Sequence, residues 1–325
     1  MAAPSRYPER VSTRPGFERG YVAAFVLSVF SGVLVALQSR LNGELGVALG
    51  DGFVAALFSF SSGLLVVGLV IAFNPRARQG LRTVREDIQS GRLPWWAAVG
   101  GAGGAFLVLT QGLSAGILGV ALFTIAVVTG QAFGSLAIDT KGWFGAPRVR
   151  LTALRVVGAI LAVVGAVIAL DVLSGSLEGK TLAFALPLVA GFGTGYQQAV
   201  NGRVKAAAGS ALAATFINFS AGALTLAVVT AISLPFTGGP TALPDQWWVW
   251  TGGLVGTIFI TIQASTVLVI GVLGLGVSIV TGQLLGSIAL DVFFPVASSG
   301  LATSTIVGAL ITLAGSALVT VGRKT

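Results

Sequence analysis

The chain has 325 residues, of which 54% are hydrophobic and only 9% are charged. Soluble domains carry about 25% charged residues, so this composition excludes an ordinary globular protein. The formal net charge of +8 fits either a nucleic-acid-binding surface or the basic cytoplasmic loops of a membrane protein. Cysteine and histidine are both absent, which removes thiol nucleophiles, Ser-His-Asp triads and most zinc sites. We therefore expect no enzyme activity, no metal and no cofactor.

Ten apolar segments are predicted to span a bilayer, because a helix that crosses about 30 Å of hydrocarbon needs roughly 20 apolar residues. Residues 95–138 and 247–293 are two long apolar runs with glycines in the middle, and we predict that each folds as a tight hairpin of two spans. In chain order the predicted spans are Tyr21–Leu41, Val54–Phe73, Trp95–Ala115, Ile117–Ile138, Leu154–Val172, Leu182–Val200, Leu212–Leu234, Trp247–Ile270, Gly271–Phe293 and Thr303–Val321.

The basic residues predict the orientation of these spans. With the N-terminus inside, every one of the 19 positive residues except Arg40 and Lys180 lies in or beside a cytoplasmic segment. This distribution follows the positive-inside rule and predicts a multi-pass inner-membrane protein with both termini in the cytoplasm. No nucleic-acid partner is needed to explain the charge. Residues 1–20 are polar and rich in Pro and Arg, and we expect a disordered cytoplasmic segment there.

The sequence contains an internal duplication. The segment LSVFSGVLVALQSRLNG (Leu27–Gly43) aligns with LPLVAGFGTGYQQAVNG (Leu186–Gly202), and TGQAFGSLAID (Thr129–Asp139) aligns with TGQLLGSIALD (Thr281–Asp291). We predict two five-helix repeats, at residues 21–173 and 182–321. Because each repeat has an odd number of spans, the second is inverted relative to the first, as in many secondary transporters. The predicted fold class is an all-α integral membrane protein with ten transmembrane helices.

The repeated motifs resemble those of a known family. ALQSRLNG, the following SFSSG and the pattern TGQxxGSxxxD resemble the YdcZ-type branch of the drug/metabolite transporter superfamily, here duplicated in tandem. The resemblance implies that the first four helices of each repeat surround a central substrate cavity and that the fifth packs peripherally. It also implies a cytoplasmic-membrane carrier of small molecules. Small multidrug members of the superfamily carry an essential glutamate in their first helix, whereas this sequence has Gln38 and Gln197 there.

Two glutamines near the middle of their spans are the first candidates for substrate contact. Gln131 and Gln283 occupy equivalent positions in the two repeats, and Thr129 and Thr281, two residues before them, are further candidates for substrate contact. Polar groups in hydrocarbon tend to face the protein interior or water, and an amide can both donate and accept hydrogen bonds. The alternative is that these amides only join neighbouring helices.

Further polar residues form two related sets, one on each side of this pair. The predicted outer set is Gln38, Asn42 and Gln111, and the inner set is Gln197, Asn201 and Gln263. We expect the four glutamines to contact substrate and the two asparagines to take part in gating. The alternative for the asparagines is that they cap helix ends before Gly43 and Gly202.

Two aspartates are candidates for ion coupling or gating. Asp139 and Asp291 each lie eight residues beyond a candidate glutamine, on the same helix face. Either they carry protons or cations, or they are solvated or ion-paired near the interface. Arg40 is a candidate partner for Asp291, and Arg203 or Lys205 for Asp139.

We predict a secondary transporter that moves a small polar or amphipathic metabolite or drug by alternating access, with export as the direction. The alternative is a non-transporting membrane scaffold or receptor subunit, which would have a packed interior. The expected partners are a small-molecule substrate and membrane lipid, and the expected state is a monomer or a homodimer.

The predicted topology can be tested with reporter fusions. A reporter inserted after Lys180 is expected outside, and one at the C-terminus inside, because five spans separate the two sites. Paired cytoplasmic and periplasmic reporters measure this directly. If both sites report the same side of the membrane, the inverted repeat is wrong.

Overall fold

The computed structural model describes residues 15–145, 148, 150–170, 180–295 and 302–321. In this part of the chain the secondary structure is helical, with no strand. The predicted all-α membrane fold is confirmed. The α-helices are α1 (Pro15–Leu49), α2 (Gly52–Ala72), α3 (Pro75–Gln89), α4 (Gly101–Thr110), α5 (Gly116–Leu118), α6 (Val120–Lys141), α7 (Ala153–Ala169), α8 (Lys180–Ala208), α9 (Ala211–Thr237), α10 (Gly252–Phe293) and α11 (Thr303–Val321).

Within the described residues, six helical segments are long and apolar enough to cross a membrane, and two further apolar helices are shorter. The six are Gly20–Leu49, Gly52–Ala72, Trp95–Leu118, Val120–Lys141, Ala211–Thr237 and Leu275–Phe293, and the two are Ala153–Ala169 and Thr303–Val319. The count of ten spans and the repeat bounds stay predictions. Of the segment predicted to be disordered, residues 1–14 lie outside the described residues, and α1 begins at Pro15.

The third span is not a regular α-helix along its whole length. It begins with a 3-10 turn at Trp95–Val99, continues as α4, and then winds as a π-helix over Gln111–Ala115 before α5. π-Helical segments are rare and frequently mark functional positions. Gly119 then takes φ 78° and ψ 162°, a conformation that suits glycine. This residue separates the end of α5 from the start of α6.

The first predicted hairpin, at residues 95–138, is confirmed. The third span runs antiparallel to α8, and α6 runs parallel to it, so the two helices of the hairpin run in opposite directions. The close approaches that show this are Gly100 to Val200, Gly104 to Gln197, Gly130 to Leu188 and Gly134 to Phe192.

The second predicted hairpin is also confirmed. Thr266 hydrogen-bonds to Ser28 at 2.8 Å, and Gly282 lies against the adjacent residue Val29. A straight helix would separate Thr266 and Gly282 by about 24 Å, so α10 reverses direction between them. The order of the other approaches to α1 agrees: Gly252 to Asn42, Gly256 to Gln38 and Gly286 to Val33.

Equivalent helices of the two repeats run antiparallel. In α2 and α9, Gly63 faces Phe219 and Gly222 faces Phe60, and the two phenyl rings lie 5.1 Å apart. The fifth helices α7 and α11 pack through Gly158 against Gly315 and Gly165 against Gly308. This antiparallel packing is the inverted relationship that the duplication predicts.

Helices of the two repeats contact each other closely at glycine residues. A β-carbon on Gly282 would lie 1.9 Å from the carbonyl oxygen of Val29, and one on the equivalent Gly130 would lie 1.9 Å from that of Leu188. No larger side chain fits at such a distance, so the helices touch backbone to backbone, as small residues allow in membranes. The first helix of each repeat thus packs against the third and fourth helices of the other.

Candidate functional site

At one end of the molecule, α1 is joined to the π-helix by a buried polar cluster. Asn42 Nδ2 donates to Gln111 Oε1 at 2.6 Å, and Gln111 Nε2 donates to Ser39 Oγ at 3.0 Å. All three side chains are buried. The predicted topology places this end outside, so we call it the outer end and the cluster Ser39–Asn42–Gln111 the outer latch.

Small residues allow the latch to form. A β-carbon on Gly46 would lie 2.2 Å from the carbonyl oxygen of Gly112, and one on Gly43 would lie 2.9 Å from Ala115. Asn42 lies inside α1, which continues to Leu49. The alternative that Asn42 caps the end of this helix is therefore wrong, and the same holds for Asn201, which lies inside α8.

Beside the latch, Gln38 joins α1 to α10. Its Nε2 donates to the carbonyl oxygen of Gly252 at 3.0 Å, and the side chain is buried. In this state, therefore, Gln38 links two helices.

The equivalent residues at the opposite, inner end are packed differently. Gln197, Asn201 and Gln263 are each partly exposed. Gln197 Nε2 donates to Asn218 Oδ1 at 3.2 Å, whereas Asn201 and Gln263 make no side-chain hydrogen bond within the part of the chain that the structure describes. A β-carbon on Gly202 would have no neighbour within 4 Å.

The two mid-span glutamines keep their hydrogen-bonding capacity. Gln283 is buried, and its Oε1 has no partner among the described residues. Gln131 is partly buried and likewise makes no hydrogen bond to the residues described. The adjacent threonines differ, because Thr129 Oγ1 donates to Ala162 O at 3.2 Å and Thr281 Oγ1 to Val277 O at 2.8 Å. Among these four mid-span residues, the two glutamines are therefore the ones whose side chains can still form hydrogen bonds with a ligand.

Asp291 caps a helix of the other repeat. Its two carboxylate oxygens accept from the backbone N–H groups of Val120 at 3.0 Å and Ala121 at 2.7 Å, at the N-terminus of α6. The helix dipole and these two donors compensate its charge. The expected partner, Arg40, instead donates its Nε to Glu44 one turn along α1.

Asp139 is paired with a residue that sequence reasoning missed. Arg155 Nη2 lies 2.7 Å from Asp139 Oδ2, and both side chains are buried. The expected partner Arg203 lies over the Trp96 ring, 5.2 Å from its centroid. The missed signal was available, because Arg155 lies inside the predicted span Leu154–Val172, where a charge needs a partner.

The described residues form a multi-pass membrane fold in which equivalent helices of the two halves pack antiparallel. The chain belongs to the family described as "Putative inner membrane exporter, YdcZ", whose model matches residues 23–168 and again 182–318. It is thus a tandem-duplicated member of the YdcZ branch of the drug/metabolite transporters, which is a transporter family and not an enzyme family.

Other comparisons bear on the fold. A solved structure, described only as "Crystal structure of protein", superposes with a TM-score of 0.52 at 19% sequence identity, covering 94% of this chain and 98% of that chain. At this identity the likeness shows the fold alone. No curated protein matches the chain significantly.

The Asp139–Arg155 pair supplies a test of ion coupling. We expect Arg155→Leu to lower the free energy of unfolding by about 3–5 kcal/mol, because it removes one partner of a buried ion pair. The double variant Asp139→Asn, Arg155→Leu should recover most of that loss, and Arg203→Leu at the surface should cost less than about 1 kcal/mol.

Transport by the stable double variant then decides the role of Asp139. Proton-driven transport that continues at the wild-type rate would exclude Asp139 as the proton carrier. Loss of transport with retained stability would support it.

Proposed function

We propose that this protein exports a small polar or amphipathic metabolite or drug as a secondary transporter that works by alternating access. Membership of an exporter family and the inverted pairing of the two repeats support the proposal. Inverted repeats allow one sequence pattern to serve as the closed end in one state and the open end in the other.

The observation that carries the proposal is the difference between equivalent ends. At the outer end Asn42 and Gln111 are hydrogen-bonded and buried, whereas at the inner end Asn201 and Gln263 are partly exposed. The glycines that follow the asparagines repeat this difference: Gly43 is in close contact with Ala115, and Gly202 is open. We interpret this arrangement as an inward-open state, closed at the outer end.

The second state follows from exchanging the roles of the repeats. Asn201 then bonds to Gln263 and closes the inner end, while the outer latch opens. The π-helix provides a way to do this, since Gln111 lies in a π-helical turn and its equivalent Gln263 lies in a regular α-helix. Because one closed set of amides replaces an equivalent set, the two states can lie close in free energy, as population shift requires.

Between the two ends, Gln131 and Gln283 are the proposed substrate contacts. Their amides can bind a hydrogen-bonding solute without imposing a charge on it. The nearby charges at Asp139 and Asp291 are compensated by Arg155 and by the N-terminus of α6. A neutral polar or amphipathic substrate fits this layer better than a strongly charged one, because a charge there would lack a free counter-charge.

Accessibility of introduced thiols tests the proposed state. The native chain has no cysteine, so Gln111→Cys and Gln263→Cys form a matched pair of equivalent positions. We expect a water-soluble maleimide to label Gln263→Cys at least about tenfold faster, because only the inner end is open; tenfold corresponds to about 1.4 kcal/mol in an opening equilibrium. Equal and slow labelling would instead support a packed scaffold.

Transport assays test the substrate contacts. We expect Gln131→Leu and Gln283→Leu each to lower uptake into inverted vesicles by about tenfold, the effect of one net hydrogen bond worth about 1.4 kcal/mol. Gln79→Leu, on the exposed face of α3, is the matched control and should transport normally. Normal transport by both mid-span variants would assign these amides to helix packing.

A further inference from the structure

Arg40 is an unusual residue for its position. It lies within α1, near the outer end, where the charge distribution predicts few basic residues. Its side chain is 14% exposed, and Nε donates to Glu44, which is 34% exposed. The terminal nitrogen Nη1 is buried with no hydrogen-bond partner among the described residues. An arginine has five N–H donors, so this guanidinium has unused donors in a desolvated position, which is costly unless a ligand accepts from them.

The Arg40–Glu44 pair lines a cavity of about 270 Å³. The rest of the lining is apolar or small: Val47, Ala48, Ala115, Gly116 and Pro295. The cavity is not part of the repeated core, because the duplication places Ala199 opposite Arg40 and Arg203 opposite Glu44. The pair therefore serves the outer end alone.

The cavity is flanked by side chains suited to lipid. Val47 in its wall is 65% exposed, and Ile117 and Phe294, the chain neighbours of Gly116 and Pro295, are 49% and 62% exposed. Large exposed apolar side chains at the end of a membrane helix lie against acyl chains or at the headgroup boundary. The pocket thus combines a charged pair with an apolar surround, which is the chemistry of an amphipathic ligand.

The charges at the pocket select among amphipathic ligands. Arg40 and Glu44 present one positive and one negative group side by side, and the other residues that line the cavity carry no charge. A purely anionic headgroup would meet the Glu44 carboxylate without a positive group to pair with it. A zwitterionic headgroup matches both charges, because a phosphate can accept from the free guanidinium nitrogens while an ammonium donates to Glu44.

We propose that the cavity at Arg40 and Glu44 binds the headgroup of a zwitterionic phospholipid, with its phosphate on Arg40, its ammonium on Glu44 and its acyl chains along the apolar side chains at Val47. The site is separate from the mid-span glutamines and does not depend on which substrate the protein carries.

Lipid retention measured by native mass spectrometry tests the site. The full chain is extracted from nanodiscs that contain equal amounts of phosphatidylethanolamine and phosphatidylglycerol, and the retained lipid is counted. We expect the wild type to retain phosphatidylethanolamine preferentially and Arg40→Gln to lose it. Arg82→Gln, an exposed arginine of α3, is the control and should match the wild type.

Glu44→Gln provides a second measurement that misfolding cannot imitate. Removing the negative charge leaves Arg40 uncompensated in the pocket, so the ratio of retained phosphatidylethanolamine to phosphatidylglycerol should fall at least tenfold. An unchanged ratio, or a wild type that prefers phosphatidylglycerol, would overturn the proposal. Displacement of the lipid by soluble glycerophosphoethanolamine at equal concentration would also overturn it, because the ligand would then be a small zwitterion and not a lipid.

Discussion

Backbone-to-backbone contact at glycine is the constraint on which the rest of this structure depends. In hydrocarbon the hydrophobic effect does not drive helices together, so close packing and polar bonds between helices must do so. At Gly282 and Gly130 the facing carbonyl oxygen lies only 1.9 Å from the position that a β-carbon would occupy. These contacts fix the first helix of each repeat against the fourth helix of the other, and thereby place Gln283 and Gln131, the next residues along those helices, at equivalent depths.

Toward the ends of these helices, equivalent residues of the two repeats no longer make equivalent contacts. Close to the fixed glycines, each contact in one repeat has its counterpart in the other, as Gly256 at Gln38 and Gly104 at Gln197 show. Farther along, Asn42 is hydrogen-bonded to Gln111 at the outer end, whereas the equivalent Asn201 and Gln263 are partly exposed. In the alternating-access mechanism that we propose, one repeat rocks against the other about the glycine contacts and exchanges these two arrangements. The π-helical turn at Gln111–Ala115 lies at the outer end, and the equivalent residues of the second repeat are α-helical.

Much of this fold could be predicted from the sequence, because the repeated motifs reveal the internal duplication. The length of the apolar segments predicted the helices and, with the glycines in the middle of the two longest runs, both hairpins. The odd number of spans in each repeat predicted the inverted pairing. The packing of the two ends could not be predicted, because Asn42 and Asn201 occupy equivalent positions in the repeated motif and nothing in their local sequence shows which of them is hydrogen-bonded. The π-helix could not be predicted either, because its sequence QGLSA at residues 111–115 carries no signal that separates it from an ordinary α-helical turn. The partner of Asp139 was predicted wrongly, because the prediction relied on proximity in the predicted layers and overlooked Arg155.

The two equivalent aspartates show how one motif is stabilised in two ways. Asp291 is held by backbone donors at the start of α6, whereas Asp139 has the guanidinium of Arg155, whose repeat equivalent is Thr305. A helix terminus offers about half an elementary charge and an arginine a full one, so the two carboxylates differ in how strongly they are held. Removing one partner of a buried ion pair costs about 3–5 kcal/mol, because the other charge is left buried and unpaired. The same reasoning applies to Asp291, whose buried carboxylate would lose two charge-assisted hydrogen bonds if α6 moved away from it. Both aspartates therefore tie α6 to its neighbours, Asp139 through a side-chain charge on α7 and Asp291 through the backbone of α6 itself.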